Sequence, residues 1–116
     1  MQTRPSKSNN IYWLSNYPND QRVYLADVYV SVMQEELEQL RDTKPERATT
    51  LQIMHRIKGG LSSIGHFPLE QLIKVEEKEL KAGNNTVEET NLNTIKLISH
   101  SVQSVKDWLD MNNVGN

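Results

Sequence analysis

Residues 51–65 read LQIMHRIKGGLSSIG, and the way this stretch winds decides the fold. Leu51, Met54, Ile57, Leu61 and Ile64 recur at spacings of three and four. On a helix turning about 100° per residue they gather on one side, as the inner face of an amphipathic segment. No apolar–polar alternation of period two runs through the stretch. Gly65 stands where a helix stop belongs, and Gly65-His66-Phe67-Pro68 reads as a tight turn with Pro68 opening the next helix.

Working outward, Leu69, Leu72, Ile73 and Leu80 supply the apolar side of a third helix, stopped by Ala82-Gly83-Asn84-Asn85. Thr86 followed three residues later by Glu89 matches a capping box, and a fourth helix carries Leu92, Ile95, Ile98, Val102, Val105 and Leu109. Upstream, Pro45 suits the first residue of the second helix. A segment free of Gly and Pro follows Asp20, its candidate N-cap, with a stripe of Ala26, Val30, Met33, Leu37 and Leu40. Val23, Leu25, Val28, Tyr29 and Val32 widen that stripe. Ile11, Trp13 and Leu14 form a short apolar knot, closed by the turn-like Asn16–Asp20, which is expected to cap one end of the core. The expected fold is all-α: an antiparallel up-down four-helix bundle over residues 11–116, preceded by a flexible tail at 1–10.

At 116 residues the chain has room for one core. Its charged fraction of 24% and formal net charge of −2 argue against a nucleic-acid partner, which would call for a basic face. With no cysteine, disulfides, zinc–thiolate sites and thiol catalysis are excluded. No apolar run approaches the roughly 20 residues that cross a bilayer, and residues 1–10 lack a signal-peptide core, so a cytoplasmic protein without direct membrane contact is expected. The apolar stripes suffice for one bundle, so a monomer is expected. Histidines and carboxylates show none of the Glu-x-x-His spacing of di-iron bundles.

The chemistry is concentrated on the second helix, where His55, Lys58, Gly59 and Ser62 share a side away from the core stripe. A glycine inside a helix costs about 1 kcal/mol relative to alanine, and Gly59-Gly60 are two in succession. Gly59, one turn beyond His55, removes a side chain that would crowd the imidazole. Lys58 lies on the same flank. An outward imidazole with an open approach and a neighbouring cation suits phosphoryl acceptance, which needs mostly positioning and charge stabilisation. His66, in the turn, and His100 read as solvated or capping residues. Arg56 reads as an ordinary solvating charge, and Ser62 and Ser63 lack any visible base partner.

Here the run resembles the histidine-containing phosphotransfer (HPt) domains of bacterial two-component phosphorelays. Their signature is a histidine, then lysine and glycine three and four residues later, and a glycine ending the helix ten residues on; His55, Lys58, Gly59 and Gly65 stand at those places. The resemblance implies phosphorylation at His55 Nε2, with the group exchanged with aspartates of receiver domains in a hybrid sensor histidine kinase or a response regulator. It implies that Lys58 helps neutralise the phosphate, that Gly59 keeps access clear, and that Ser62 faces the docking surface. Gly60 departs from the serine or alanine usual there.

The hairpin of the second and third helices turns near His66, which places Glu77 opposite His55; a slip of one residue would substitute Glu76 or Lys78. A carboxylate accepting from Nδ1–H would leave the Nε2 lone pair free. Val28, Tyr29 and Val32 belong either to the core or to an apolar surface flanking His55 that receives a receiver helix. No cofactor is expected, since magnesium would sit on the partner, and no GxxxxGK[ST] loop is present for ATP. The expected protein is a phosphoryl carrier and not an enzyme with turnover of its own. The alternative is a helical docking or inhibitor adaptor that carries no phosphate.

Overall fold

The computed structural model describes residues 11–113, apart from 43 and 45; the expected flexible tail at 1–10 lies outside the described residues. Four helices form: α1 (Asn19–Asp42), α2 (Arg47–Ile64), α3 (Phe67–Lys81) and α4 (Val87–Asn113), after a short 3₁₀ turn at Tyr12–Asn16. The links between them are a few residues long, which forces successive helices antiparallel. The two longest, α1 and α4, pack along each other, and α2 packs along α3. Among the described residues there is no strand, and no helix is long and apolar enough to cross a membrane.

The helix ends follow local chemistry. Gly65 adopts φ 85°, and the His66 N–H donates to the Leu61 carbonyl at 2.9 Å while Gly65 N–H reaches Ser62, satisfying the last carbonyls of α2. Gly83 does the same after α3 at φ 82°. At the start of α4, Thr86 N–H donates to Glu89 Oε1 (2.8 Å) and Glu89 N–H to Thr86 Oγ1 (3.0 Å), the reciprocal pair expected from sequence. Two starts differ. The first helix begins at Asn19, so Asp20 lies inside its first turn, where a carboxylate favours the positive helix end, and is not the cap. The second begins at Arg47 with Glu46 as N-cap; Pro45 itself lies outside the described residues. Arg47 then reaches across to donate to the Leu80 carbonyl at 3.0 Å, closing the end of α3.

The core is built from the expected stripes: Ala26, Met33, Leu37 and Leu40 of α1, Met54, Ile57 and Leu61 of α2, and Ile98, Val102, Val105 and Leu109 of α4 are buried. Leu72 and Leu92 are corrections, half or more exposed at 50% and 57%. The inward row of α3 is Leu69–Ile73–Glu77–Leu80, which leaves Leu72 about 100° off it. In α4 the first inward turns are polar: Thr90, Asn91 and Thr94 are buried, and Leu92 points away. Thr50 Oγ1 donates to Asn91 Oδ1 at 2.8 Å, joining α2 to α4 through the core.

Two further residues turn inward. Tyr29 is buried, its hydroxyl 2.6 Å from Ser101 Oγ; burial pushes its phenol up to about 12 against the pull of that hydrogen bond. His66 is buried too: of its two readings, solvated or capping, the first is wrong, and it stands as the N-cap residue of α3 without a side-chain cap hydrogen bond. Its ring lies stacked on Trp13 (centroids 6.3 Å, 22°) and tilted against Tyr29. Trp13 and Leu14 are buried as the knot required, and Tyr17 Oη donates to the Ile64 carbonyl at 3.0 Å, strapping the N-terminal segment over the α2–α3 turn.

Candidate functional site

The inward set Thr50, Ile53, Met54, Ile57 and Leu61 fixes the rotation of α2. His55 therefore stands on the outer side, exposed, with Ala48, Leu51, Gln52 and Arg56 around a shallow open depression beside it. Among the described residues no hydrogen bond or ion pair engages its ring, so both nitrogens face solvent or an incoming group. Gly59 continues this outer surface one turn on, and a Cβ built there would meet no atom within 4 Å. Nothing inside the bundle thus requires glycine at 59. At Gly60 a Cβ would sit 3.6 Å from Met33 Cε, an ordinary contact.

Ion pairs border His55 on both flanks. Toward α1, Arg56 donates to Glu36 through Nη2 (2.7 Å) and Nε (3.2 Å) and to Gln39 Oε1 (2.8 Å). Arg56 is exposed as expected, yet held in a defined two-pronged geometry. Toward α3, Lys58 Nζ donates to Glu77 Oε1 at 2.5 Å, and Lys81 Nζ lies 3.6 Å from Glu77 Oε2. Glu77 was expected to accept from His55 Nδ1; the structure gives its carboxylate to two lysines instead. The cause is its place in the buried α3 row: an inward carboxylate needs charge partners, and long lysine stems reach it. Burial works against its charged form, but Lys58 and Lys81 outweigh that and hold its carboxyl below the usual range. Of the slip alternatives, Glu76 accepts from Asn93 and Lys78 is exposed.

The apolar surface beside the site comes from α1. Val32 and Val28 continue the Glu36 row at steps of four, on the flank of α1 that meets α2, and are 45% and 40% exposed. Tyr24, one further step along and 69% exposed, extends the strip. Tyr29 is the correction here: it belongs to the core and offers nothing to a partner. The antiparallel register set by Glu36–Arg56 and Met33–Gly60 brings Val32 to the level of Gly60, about one turn from His55. Ser62 is exposed on the His55 side of α2. Tyr24, Glu36 and Lys81 were not singled out from sequence. Tyr24 had a signal in its i,i+4,i+8 spacing with Val28 and Val32, and Lys81 in its i,i+4 spacing from Glu77; Glu36 had none.

Comparison with protein-family models, curated proteins and solved structures finds no match to this chain.

Proposed function

We propose that this chain is a histidine phosphotransfer protein of a two-component phosphorelay, with His55 as the phosphoryl carrier. The observation that supports it most is the outer surface of α2, where an exposed imidazole with no internal partner adjoins a glycine whose missing side chain serves no internal contact. A surface that spends helix propensity to stay bare is built for something to approach closely.

In the proposed step the Nε2 lone pair of neutral His55 attacks the phosphorus of a receiver aspartyl phosphate. The N–P bond forms as the P–O bond to the aspartate breaks, and the carboxylate leaves with the electron pair. The ring, still carrying its Nδ1 proton, becomes cationic and can release that proton to water. Lys58, at i+3, is the cation within reach of the transferring group, and the magnesium that assists the reaction belongs to the receiver. The Tyr24–Val28–Val32 strip offers the apolar area for docking.

The test is incubation with a panel of phosphorylated receiver domains, followed by intact-mass analysis. One acid-labile phosphoryl group is expected on the wild-type chain. Binding without any mass gain would favour the phosphate-free adaptor.

The glycines give a second check. Gly59→Ala and Gly60→Ala are each expected to raise unfolding free energy by about 0.5–1 kcal/mol, since alanine is the better helix former and neither Cβ clashes. Only Gly59→Ala, on the His55 side, is expected to slow phosphoryl acceptance. Denaturant melts and transfer rates of both variants decide the point; equal rates in the two would remove Gly59 from the docking surface.

A further inference from the structure

Glu77 is 7% exposed and divides its oxygens between two lysines, Lys58 on Oε1 and Lys81 on Oε2. One carboxylate cannot neutralise both, so within this cluster of three one lysine is always in excess. The two cations differ in setting: the Lys58 side chain is 20% exposed and in close contact, whereas Lys81 is 58% exposed and further away. Neighbouring acids are occupied elsewhere, Glu76 by Asn93 and Glu79 by Asn84. Lys58 is thus held away from His55 by a buried carboxylate that has a second cation in reserve.

We propose that Glu77 and Lys81 position Lys58 by an exchange of ion-pair partners, an inference that rests on His55 carrying a phosphoryl group. In the free protein Glu77 holds Lys58. When a doubly negative phosphoryl group is on His55, Lys58 turns to it, one helical turn away on a flexible stem. Lys81 then closes on Glu77, so the buried carboxylate keeps a counter-charge throughout. Leaving it unpaired would be strongly unfavourable and would tie Lys58 to Glu77. Lys81 therefore governs how freely Lys58 can leave, although it never touches the phosphoryl group. Glu77 and Lys81 are positioning residues in this scheme.

The experiment measures the rate of phosphoryl acceptance from a phosphorylated receiver for the wild type, Lys81→Met, Lys81→Arg and Lys81→Met with Glu77→Gln. Lys81→Met is expected to lose about tenfold, within the range of coupling between contacting residues. Lys81→Arg should keep the wild-type rate. In the double variant the carboxylate that detains Lys58 is gone, and the rate should recover most of the loss, a reversal that a merely structural role would not produce. Because Lys81 is an exposed residue at the end of α3, its variants are expected to fold, as melting curves would verify. A wild-type rate in Lys81→Met, or a double variant as slow as the single, would overturn the exchange while leaving the carrier reading intact. Absence of transfer to the wild type would overturn both.

Discussion

His55→Gln is expected to lose phosphoryl acceptance completely while folding as well as the wild type. The two halves of that expectation come from the same geometry. The His55 ring is exposed and makes no hydrogen bond or ion pair among the described residues, so its replacement should change stability by no more than about 0.5 kcal/mol. Glutamine fits the helix and keeps a polar surface but has no nucleophilic nitrogen. Neither of the other histidines is expected to substitute for it: His66 is sealed in the core, and His100 lies on α4, not on the helix that carries Lys58 and Gly59. Circular dichroism melts and mass analysis on the same samples separate folding from chemistry. Residual phosphorylation in the variant would mean that another side chain is the acceptor.

Acid is expected to loosen the bundle through His66, with an effect of roughly 2–3 kcal/mol between pH 6.5 and 4.5. Burial pushes its pKa down from 6.5 to about 4, and among the described residues neither ring nitrogen has a hydrogen-bond partner. The unfolded chain therefore binds a proton at His66 that the folded chain refuses. Stability contributed by keeping the ring neutral is intact above pH 6.5 and falls as the pH drops toward 4. Glu77, held below its ordinary value of 4.5, begins to lose its contribution only as the pH falls through that value, so most of the change between pH 6.5 and 4.5 belongs to the histidine. His66→Phe, which keeps a ring against Trp13 and Tyr29, should flatten the profile across that window. Urea melts at pH 7.0 and 4.5 on both proteins provide the comparison. Equal acid losses in the two would show that a different group controls the slope.

The bundle was legible because its signals are backbone signals. Apolar spacing gave α1, α2 and the later turns of α4, Gly65 gave the left-handed stop, and Thr86 with Glu89 gave the cap. Periodicity counts only apolar residues, however, and the core of the first turns of α4 is Thr90, Asn91 and Thr94; Leu92 drew the stripe to the wrong side. Tyr29, open between core and surface, and His66, open between solvated and capping, were left undecided for a related reason. Their rings are large enough to enter the core while their polar atoms argue for the surface, and the deciding contact, Trp13, is distant in sequence. At the site, the position of His55 on the outer surface of α2 followed from the helix period alone. The partner of Glu77 did not. Opposition across a hairpin gives the level of a residue but not which of two side chains at that level has the reach, and a lysine stem outreaches an imidazole.

A relay between two receivers separates a phosphoryl carrier from a docking adaptor. The chain would be mixed with a phosphorylated receiver, separated from it at neutral pH, and presented to a second, unphosphorylated receiver while the label on each protein is followed. The phosphoryl group is expected to reside on His55 in the isolated protein and then to pass to the aspartate of the second receiver. If the chain binds receivers but takes up no label, or takes it up on a residue other than His55, the carrier reading is contradicted.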